Sequence, residues 1–169
     1  MRRARVNDHF ARLTAYLDEN VVHVPTLRWI VLAGMWRTFD DAGYEIDYWS
    51  GKRISTFTPV EPTPLDAYVA AIERQLVPLS GVPVTLVLDT PRRGLAVETQ
   101  RQRQAPLSHR LRQLAEAHPN VRVFDAMATV CDGSWCRWNR LRDANHLSLA
   151  GSTDVGTALV ERSVPFGVP

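Results

Sequence analysis

The sequence predicts an α/β fold of three layers (α/β/α), with a parallel sheet between helices. Three short apolar runs rich in β-branched residues, at 29–34, 84–88 and 121–124, have the composition of buried strands. Segments with apolar residues at helical spacing alternate with these runs, as is typical of a parallel sheet covered by helices. In such a fold the crossovers are right-handed, and ligands bind beyond the carboxyl ends of the strands.

Four helices are predicted from apolar residues at helical spacing and from the residues that begin or end them. They cover about residues 8–19, 63–77, 105–117 and 149–162. The second begins most clearly, with Thr63 as N-cap and Pro64 at the first helical position. Two loops are predicted at 36–62 and 89–104. Long loops inside compact domains tend to be functional.

Composition excludes several classes of protein. The 169 residues include 20 Lys+Arg and 18 Asp+Glu, a formal charge of +2, which is too small to indicate nucleic-acid binding. Hydrophobic residues make up 45%, so we expect one folded domain over 1–169. No apolar run is long enough to span a bilayer, and the basic N-terminus lacks the apolar core of a signal peptide. An enzyme or a binding domain is expected, with no metal or other cofactor.

The two cysteines, Cys131 and Cys136, lie on either side of a short polar stretch that contains Gly133. A turn there could bring the sulfurs together as a disulfide, but two free thiols or half of a zinc site are also open. Zinc would require two further ligands, and the sequence has no second cysteine pair. A disulfide would imply an oxidising compartment, which conflicts with the absence of a signal peptide.

The segment from Asp143 to His146 carries the most informative chemistry. An Asp three residues before a His, in a loop that enters a helix, can reach back to imidazole Nδ1. That contact fixes the tautomer, leaves Nε2 free to take a proton, and stabilises the imidazolium that forms. The alternative is a solvated surface loop whose Asp and His only cap the following helix.

The context of this segment resembles the C-terminal part of SGNH-type esterase/acetyltransferase domains. It is most similar to the SGNH domain fused to membrane acyltransferases that O-acylate cell-surface polysaccharides, and the resemblance covers roughly residues 8–163. The residues that carry it are Ile30-Val31-Leu32-Ala33-Gly34-Met35-Trp36, Val123-Phe124-Asp125, Cys131, Cys136 and Asp143-x-Asn145-His146-Leu147-Ser148-x-x-Gly151.

The resemblance implies an SGNH-hydrolase, flavodoxin-like sheet with Asp143 and His146 as the acid and base of a catalytic triad. It also implies that Cys131 and Cys136 form a disulfide in an extracytoplasmic or periplasmic domain. The implied substrate is an O-acyl (acetyl) ester on a cell-surface glycan, and the implied partner is a membrane acyltransferase domain. Hydrolysis and transfer to a sugar hydroxyl both remain open.

The chain departs from the family at the nucleophile. The family's serine lies in a Gly-Asp-Ser block on the first, central strand, and no Gly-Asp-Ser occurs here. We therefore expect a domain that lacks its first strand and is N-terminally incomplete, with no hydroxyl for His146 to activate. Other serines are candidate substitutes, but none lies at a predicted strand-to-helix elbow: Ser50, Ser55, Ser80, Ser108, Ser134 and Ser148.

Substrate-binding residues are predicted at the carboxyl ends of the strands, a rim that includes 34–37, 89–93 and Asp125. Gly34, Trp36 and Arg37 are the candidates, because a Trp face suits a sugar ring and Arg donates forked hydrogen bonds. The alternative is that Trp36 fills the end of the sheet, Arg37 is solvated, and Gly34 ends the strand.

Two further groups of side chains have less specific interpretations. Trp135 and Trp138 flank Cys136 and are more typical of local packing than of sugar stacking. Six arginines between 92 and 112 could attract an anionic glycan, although a solvated helix face is favoured. The leading hypothesis is thus an incomplete SGNH-like acyl-transfer or ester-hydrolysis domain. The alternatives are a non-catalytic relative that binds glycan or a partner, and an inactive fragment.

Overall fold

The computed structural model describes residues 11–33, 38–47, 49–54, 65–144 and 146–163. Within them three parallel strands form one sheet, in the order in which they occur along the chain. These strands are β1 (Ile30–Leu32), β2 (Val84–Val87) and β3 (Val121–Phe124). Helix α2 (Leu65–Leu76) lies between β1 and β2, and α3 (Val97–Ala117) lies between β2 and β3. The predicted α/β fold with a parallel sheet is confirmed.

Shorter elements lie before and after this unit. The helical stretch at residues 11–21, α1, ends in a π-helical turn, Leu17–Val21. After β3 come α4 (Met127–Val130), the hairpin of β4 (Cys131–Asp132) and β5 (Trp135–Cys136), and α5 (Leu149–Ser163). Single 3-10 turns occur at Val77–Leu79 and Trp138–Arg140. In the part of the chain that the structure describes, no helix is both long and apolar enough to cross a membrane.

The three layers follow from the alternation of strand side chains between the two faces of the sheet. Val84, Leu86 and Val121 belong to the main core, together with the apolar faces of α2 and α3. Val87 and Phe124 point to the other face, where they pack against apolar residues of α5. Helices α2 and α3 thus cover one face of the sheet and α5 covers the other, which gives the three layers that the sequence predicts.

Strand β1 differs from the prediction. A strand at 29–34 buried on both faces is expected, but the structure has only Ile30–Leu32, and Val31 is 37% exposed. Ile30 and Leu32 pack against the main core, whereas α5 packs beside β2 and β3. Among the described residues β1 pairs with β2 alone, and no described strand lies at its other edge.

Helix α3 begins at Val97, about eight residues earlier than predicted. Its first two turns are polar and therefore resemble a loop in the sequence. They are helical because buried glutamines form their inner face. The Gln100 side chain accepts a hydrogen bond from the N–H of Arg92 and donates to the carbonyls of Arg92 and Leu95. These bonds satisfy a buried amide and attach the loop after β2 to the helix.

The predicted irregular segment contains a small antiparallel arrangement in its described part, with isolated bridges joining Phe39 to Glu45 and Ile46 to Arg53. Phe39 is fully buried in the main core. Arg53 forms a salt bridge with Asp40 at 2.8 Å. Partial burial would raise the pKa of Asp40, but hydrogen bonds from Arg53 and from backbone N–H groups outweigh it and hold that pKa below its ordinary value.

Candidate active site

The loop that carries Asp143 and His146 lies against the loop that follows β2. The backbone N–H of Arg93 donates to the carbonyl of Ala144 at 2.9 Å. Since Arg93 comes shortly after the end of β2, the contact places Asp143 and His146 at the carboxyl edge of the sheet. This is the edge at which open parallel sheets bind their ligands.

Asp143 and His146 are in direct contact. The distances from His146 Nδ1 to Asp143 Oδ1 and Oδ2 are 2.8 and 3.0 Å, and the backbone N–H of His146 also donates to Oδ1 at 3.0 Å. Because a carboxylate can only accept, Nδ1 carries the hydrogen, and Nε2 of the neutral ring is left as an acceptor. Nε2 makes no hydrogen bond within the described part of the chain, and the His146 side chain is 59% exposed.

The chain around this pair forms a tight loop closed by backbone bonds. Leu141 and Leu147 form an antiparallel bridge, and the N–H of Arg142 donates to the carbonyl of His146 at 2.9 Å. Leu141 is buried in a small core that Leu147 packs against. The two apolar residues therefore hold the base of the loop, whereas Arg142 and His146 between them are exposed.

Ser148 fixes the start of α5. Its hydroxyl accepts a hydrogen bond from the N–H of Gly151 at 3.1 Å, as an N-cap residue does, and donates to the carbonyl of Asn139 at 2.6 Å. Its N–H donates to the carbonyl of Arg140 at 3.0 Å. One side chain thus joins the helix start to the segment before the loop, so the positions of Asp143 and His146 are set from both ends.

The disulfide between Cys131 and Cys136 is confirmed, with an S–S distance of 2.12 Å. It joins the facing residues of β4 and β5, and Gly133 occupies the left-handed region that their turn requires, with φ of +63°. The free-thiol and zinc interpretations are wrong. Within the described residues no cluster of three or more His, Cys, Asp or Glu side chains could hold a metal.

The hairpin supports the N-terminus of α3, since the N–H of Val97 donates to the carbonyl of Ser134 at 2.9 Å. Cys131→Ser with Cys136→Ser should lower the free energy of unfolding by about 2 kcal/mol or less, because the bond closes a loop of only a few residues. Urea unfolding with and without dithiothreitol checks this, and wild type under reduction should match the double variant. A loss above about 4 kcal/mol would contradict a local role for the bond.

The predicted substrate-binding residues Gly34, Trp36 and Arg37 lie outside the described residues. Trp135 and Trp138 are described, and both are largely exposed, with exposed fractions of 57% and 66%. Local packing is seen on one face of Trp138. The guanidinium of Arg93 lies over the Trp138 ring, 3.5 Å from its centroid. The sequence predicts Arg93 on the rim but does not predict that Trp138 lies beside it, since only the fold brings the two together.

The predicted arginine cluster is dispersed over α3 and the loop before it. Arg110 forms a salt bridge with Asp66 of α2 at 3.0 Å. Arg101 and Arg112 line a cleft of about 330 Å³, which also contains Asp125. The arginines therefore do not form a single basic surface around Asp143 and His146.

No serine hydroxyl is within hydrogen-bond distance of His146 among the described residues. Ser134 is exposed in the β4–β5 turn, and the hydroxyl of Ser148 is engaged as described above. Ser50 donates its N–H and its hydroxyl to Asp47 at 2.7 and 2.8 Å, which lowers the pKa of Asp47. Ser55 lies outside the described residues. The described residues therefore supply an imidazole held by a carboxylate, with no serine hydroxyl from among them beside it.

A model of the SGNH domain, the type fused to AT3 domains, matches residues 7–161. The chain belongs to the SGNH family. No curated protein is similar enough to count as a match. The SGNH chain aligns over 92% of its length with 92% of a solved structure provisionally described as a platelet activating factor from Streptococcus pneumonia. That alignment has 14% identity and a TM-score of 0.48, which is too low to support an argument about function.

Membership of the SGNH family supports an acyl-transfer or esterase-like activity in general terms. The fusion named in the family's description is consistent with a membrane acyltransferase domain as partner.

Proposed function

We propose that this chain supplies the acid–base part of an acyl-transfer site that acts on O-acyl groups of a cell-surface glycan. One observation carries the proposal. The carboxylate of Asp143 holds His146 by Nδ1 at 2.8 Å, while Nε2 is unoccupied among the described residues and the side chain is exposed. An imidazole in this state is ready to take a proton from a hydroxyl.

In the complete site the nucleophile is a serine on a Gly-Asp-Ser segment that this sequence does not contain. The serine oxygen attacks the acyl carbonyl, and its proton passes to His146 Nε2. The imidazolium, stabilised by Asp143, then protonates the departing alcohol oxygen and leaves an acyl-serine. Water or a sugar hydroxyl next gives its proton to His146 and attacks the acyl-serine, which regenerates the serine hydroxyl when the imidazolium returns the proton.

The edge of β1 that pairs with no strand among the described residues supports this arrangement. A strand that pairs there in parallel would end at the same carboxyl edge as β1, and that edge carries Asp143 and His146. Unpaired N–H and C=O groups on a strand edge are a ready template for another strand.

The disulfide supports an extracytoplasmic location, because such bonds persist in oxidising compartments. The membrane acyltransferase domain of the family's description is the natural source of the acyl group, and it would bring this chain to the outer face of the membrane.

The test joins this chain to a segment that carries Gly-Asp-Ser and assays hydrolysis of p-nitrophenyl acetate. We expect Ser-dependent activity in the fusion, none when that serine is changed to alanine, and only background from the chain alone. Circular dichroism and a cooperative unfolding transition establish that the fusion is folded. A folded fusion whose activity does not depend on the serine would contradict the proposal.

A non-catalytic glycan-binding domain is the second candidate, and the absence of a serine hydroxyl near His146 in the described part of the chain favours it. It predicts saturable glycan binding with no hydrolysis in the fusion. The same experiment therefore separates the two functions.

A further inference from the structure

Trp138 is a large apolar side chain at the surface beside the candidate active site. Its exposed fraction is 66%, and the guanidinium of Arg93 lies over one face of its ring at 3.5 Å. Since Arg93 covers that face, the exposed area belongs to the opposite face and the ring edge. A planar apolar surface therefore faces solvent with a cation directly behind it.

Both members of this stack are attached to the loop that carries the acid–base pair. The N–H of Arg93 donates to the carbonyl of Ala144, which lies between Asp143 and His146 in the sequence. Trp138 begins the 3-10 turn Trp138–Arg140, and the carbonyl of Arg140 accepts the N–H of Ser148 directly after the loop. The position of the stack relative to the loop is thus set by backbone bonds on both sides.

The charge of Arg93 is not neutralised by a carboxylate in the described part of the chain, and its Nε is buried without a hydrogen-bond partner. Because the guanidinium lies directly behind the indole, it acts on a ligand at the free face through its charge and not through hydrogen bonds. A second aromatic ring lies at the same rim, because a Cβ on Gly94 would be 3.7 Å from the ring of Trp49.

We propose that Trp138 and Arg93 form a sugar-binding subsite beside Asp143 and His146. A pyranose ring stacks on the free face of the Trp138 indole, and the positive charge of Arg93 behind that ring favours a sugar that carries a carboxylate. The choice of a sugar as ligand rests on the proposed function, whereas the surface itself rests only on the contacts described above. An exposed Trp beside an Arg also suits a protein partner, but an acid–base pair held in the adjoining loop favours a small substrate.

Binding can be measured on the chain as it is, because stacking needs no nucleophile. The probes are O-acetylated oligogalacturonides, their saponified forms, and neutral xylo-oligosaccharides, each titrated by isothermal calorimetry. Trp138→Ala should weaken binding about tenfold, as loss of a central aromatic contact does. Arg93→Gln should weaken the galacturonides more than the neutral probe.

Trp135→Ala is the matched control, since Trp135 is also exposed but lies in the β4–β5 hairpin. We expect it to leave the affinity within about twofold, and both Trp variants to keep the unfolding temperature. Equal losses from the two Trp variants, or no binding of any probe by the wild type at millimolar concentration, would overturn the subsite.

Failure of the subsite and failure of the proposed function are distinguishable. If the Ser-bearing fusion is inactive but Trp138-dependent sugar binding persists, the subsite stands without the catalytic role. If the fusion is active and Trp138→Ala changes neither KM for an O-acetylated oligosaccharide nor the measured affinity, the subsite is wrong and the catalytic role stands. A protein ligand that competes with no sugar but loses affinity in Trp138→Ala would also overturn it.

Discussion

Gly151→Ala is expected to lower the free energy of unfolding by about 3 kcal/mol, although Ala is normally better than Gly inside a helix. A Cβ at this position would lie 2.1 Å from the carbonyl oxygen of Arg140, which is backbone and cannot rotate away. The start of α5 would have to move from the segment that precedes the Asp143–His146 loop. Urea denaturation measures the loss, and a change in the slope of the transition would show that the native state itself has loosened.

Gly156→Ala provides the matched control in the same helix. A Cβ there would meet no atom within 4 Å, so only helix propensity acts and the protein should become more stable by about 0.5–1 kcal/mol. Helix propensity alone would change the free energy of unfolding in the same direction for two Gly→Ala variants five residues apart in α5. Changes of opposite sign would therefore point to the close contact at position 151. If both variants are stabilised, the close approach of α5 to Arg140 is wrong.

The result would also explain a feature of the motif around His146. The Arg140 carbonyl that excludes a side chain at position 151 is the one that accepts the Ser148 N–H. Ser148 caps the helix, and Gly151 permits the close approach that the cap requires. The Leu147-Ser148-x-x-Gly151 sequence thus has a structural role, because it fixes the position of His146 without taking part in a reaction.

The layer arrangement could be predicted from the sequence because it depends on local signals. The strands around Leu86 and Val123 have apolar composition that only a buried sheet accommodates, and Thr63 with Pro64 marks where a helix begins. The Asp143–His146 contact was likewise foreseeable, since a spacing of three residues limits how far apart the two side chains can be. Each of these depends on residues that are close in sequence.

The features that could not be predicted depend on distant residues. The first turns of α3 resemble a loop until the loop after β2 supplies bonds to Gln100. Val31 belongs to an apolar run that is typical of a buried strand. It is nevertheless exposed, because α5 packs against β2 and β3 and not against β1. Trp138 stacks with Arg93 across 45 positions of sequence, and no spacing rule relates them. Helix length, strand burial and the stacking of distant side chains are thus tertiary properties.

His146→Ala in the Ser-bearing fusion should reduce kcat/KM for p-nitrophenyl acetate by about 10³-fold or more, because general acid–base catalysis contributes about 10²–10⁴-fold. The loss should fall on kcat, since His146 acts on the proton of the nucleophile and not on the bound ester. Stopped-flow release of p-nitrophenol with burst analysis separates acylation from turnover. His109→Ala is the control, since His109 is exposed on α3 and the variant should keep full activity.

Asp143→Asn tests whether the carboxylate orients the imidazole. The two short contacts from Nδ1 require an acceptor at both oxygens, and an amide offers only one oxygen and an N–H₂ donor. The ring can then turn or adopt the other tautomer, which removes the acceptor from Nε2, so a loss of about 10³-fold is expected. Stability should change little because Asp143 is partly exposed, and sugar binding at Trp138 should persist. If the Asp143→Asn fusion keeps the wild-type kcat, the contact stabilises only the conformation of the loop, and another group orients the His146 imidazole.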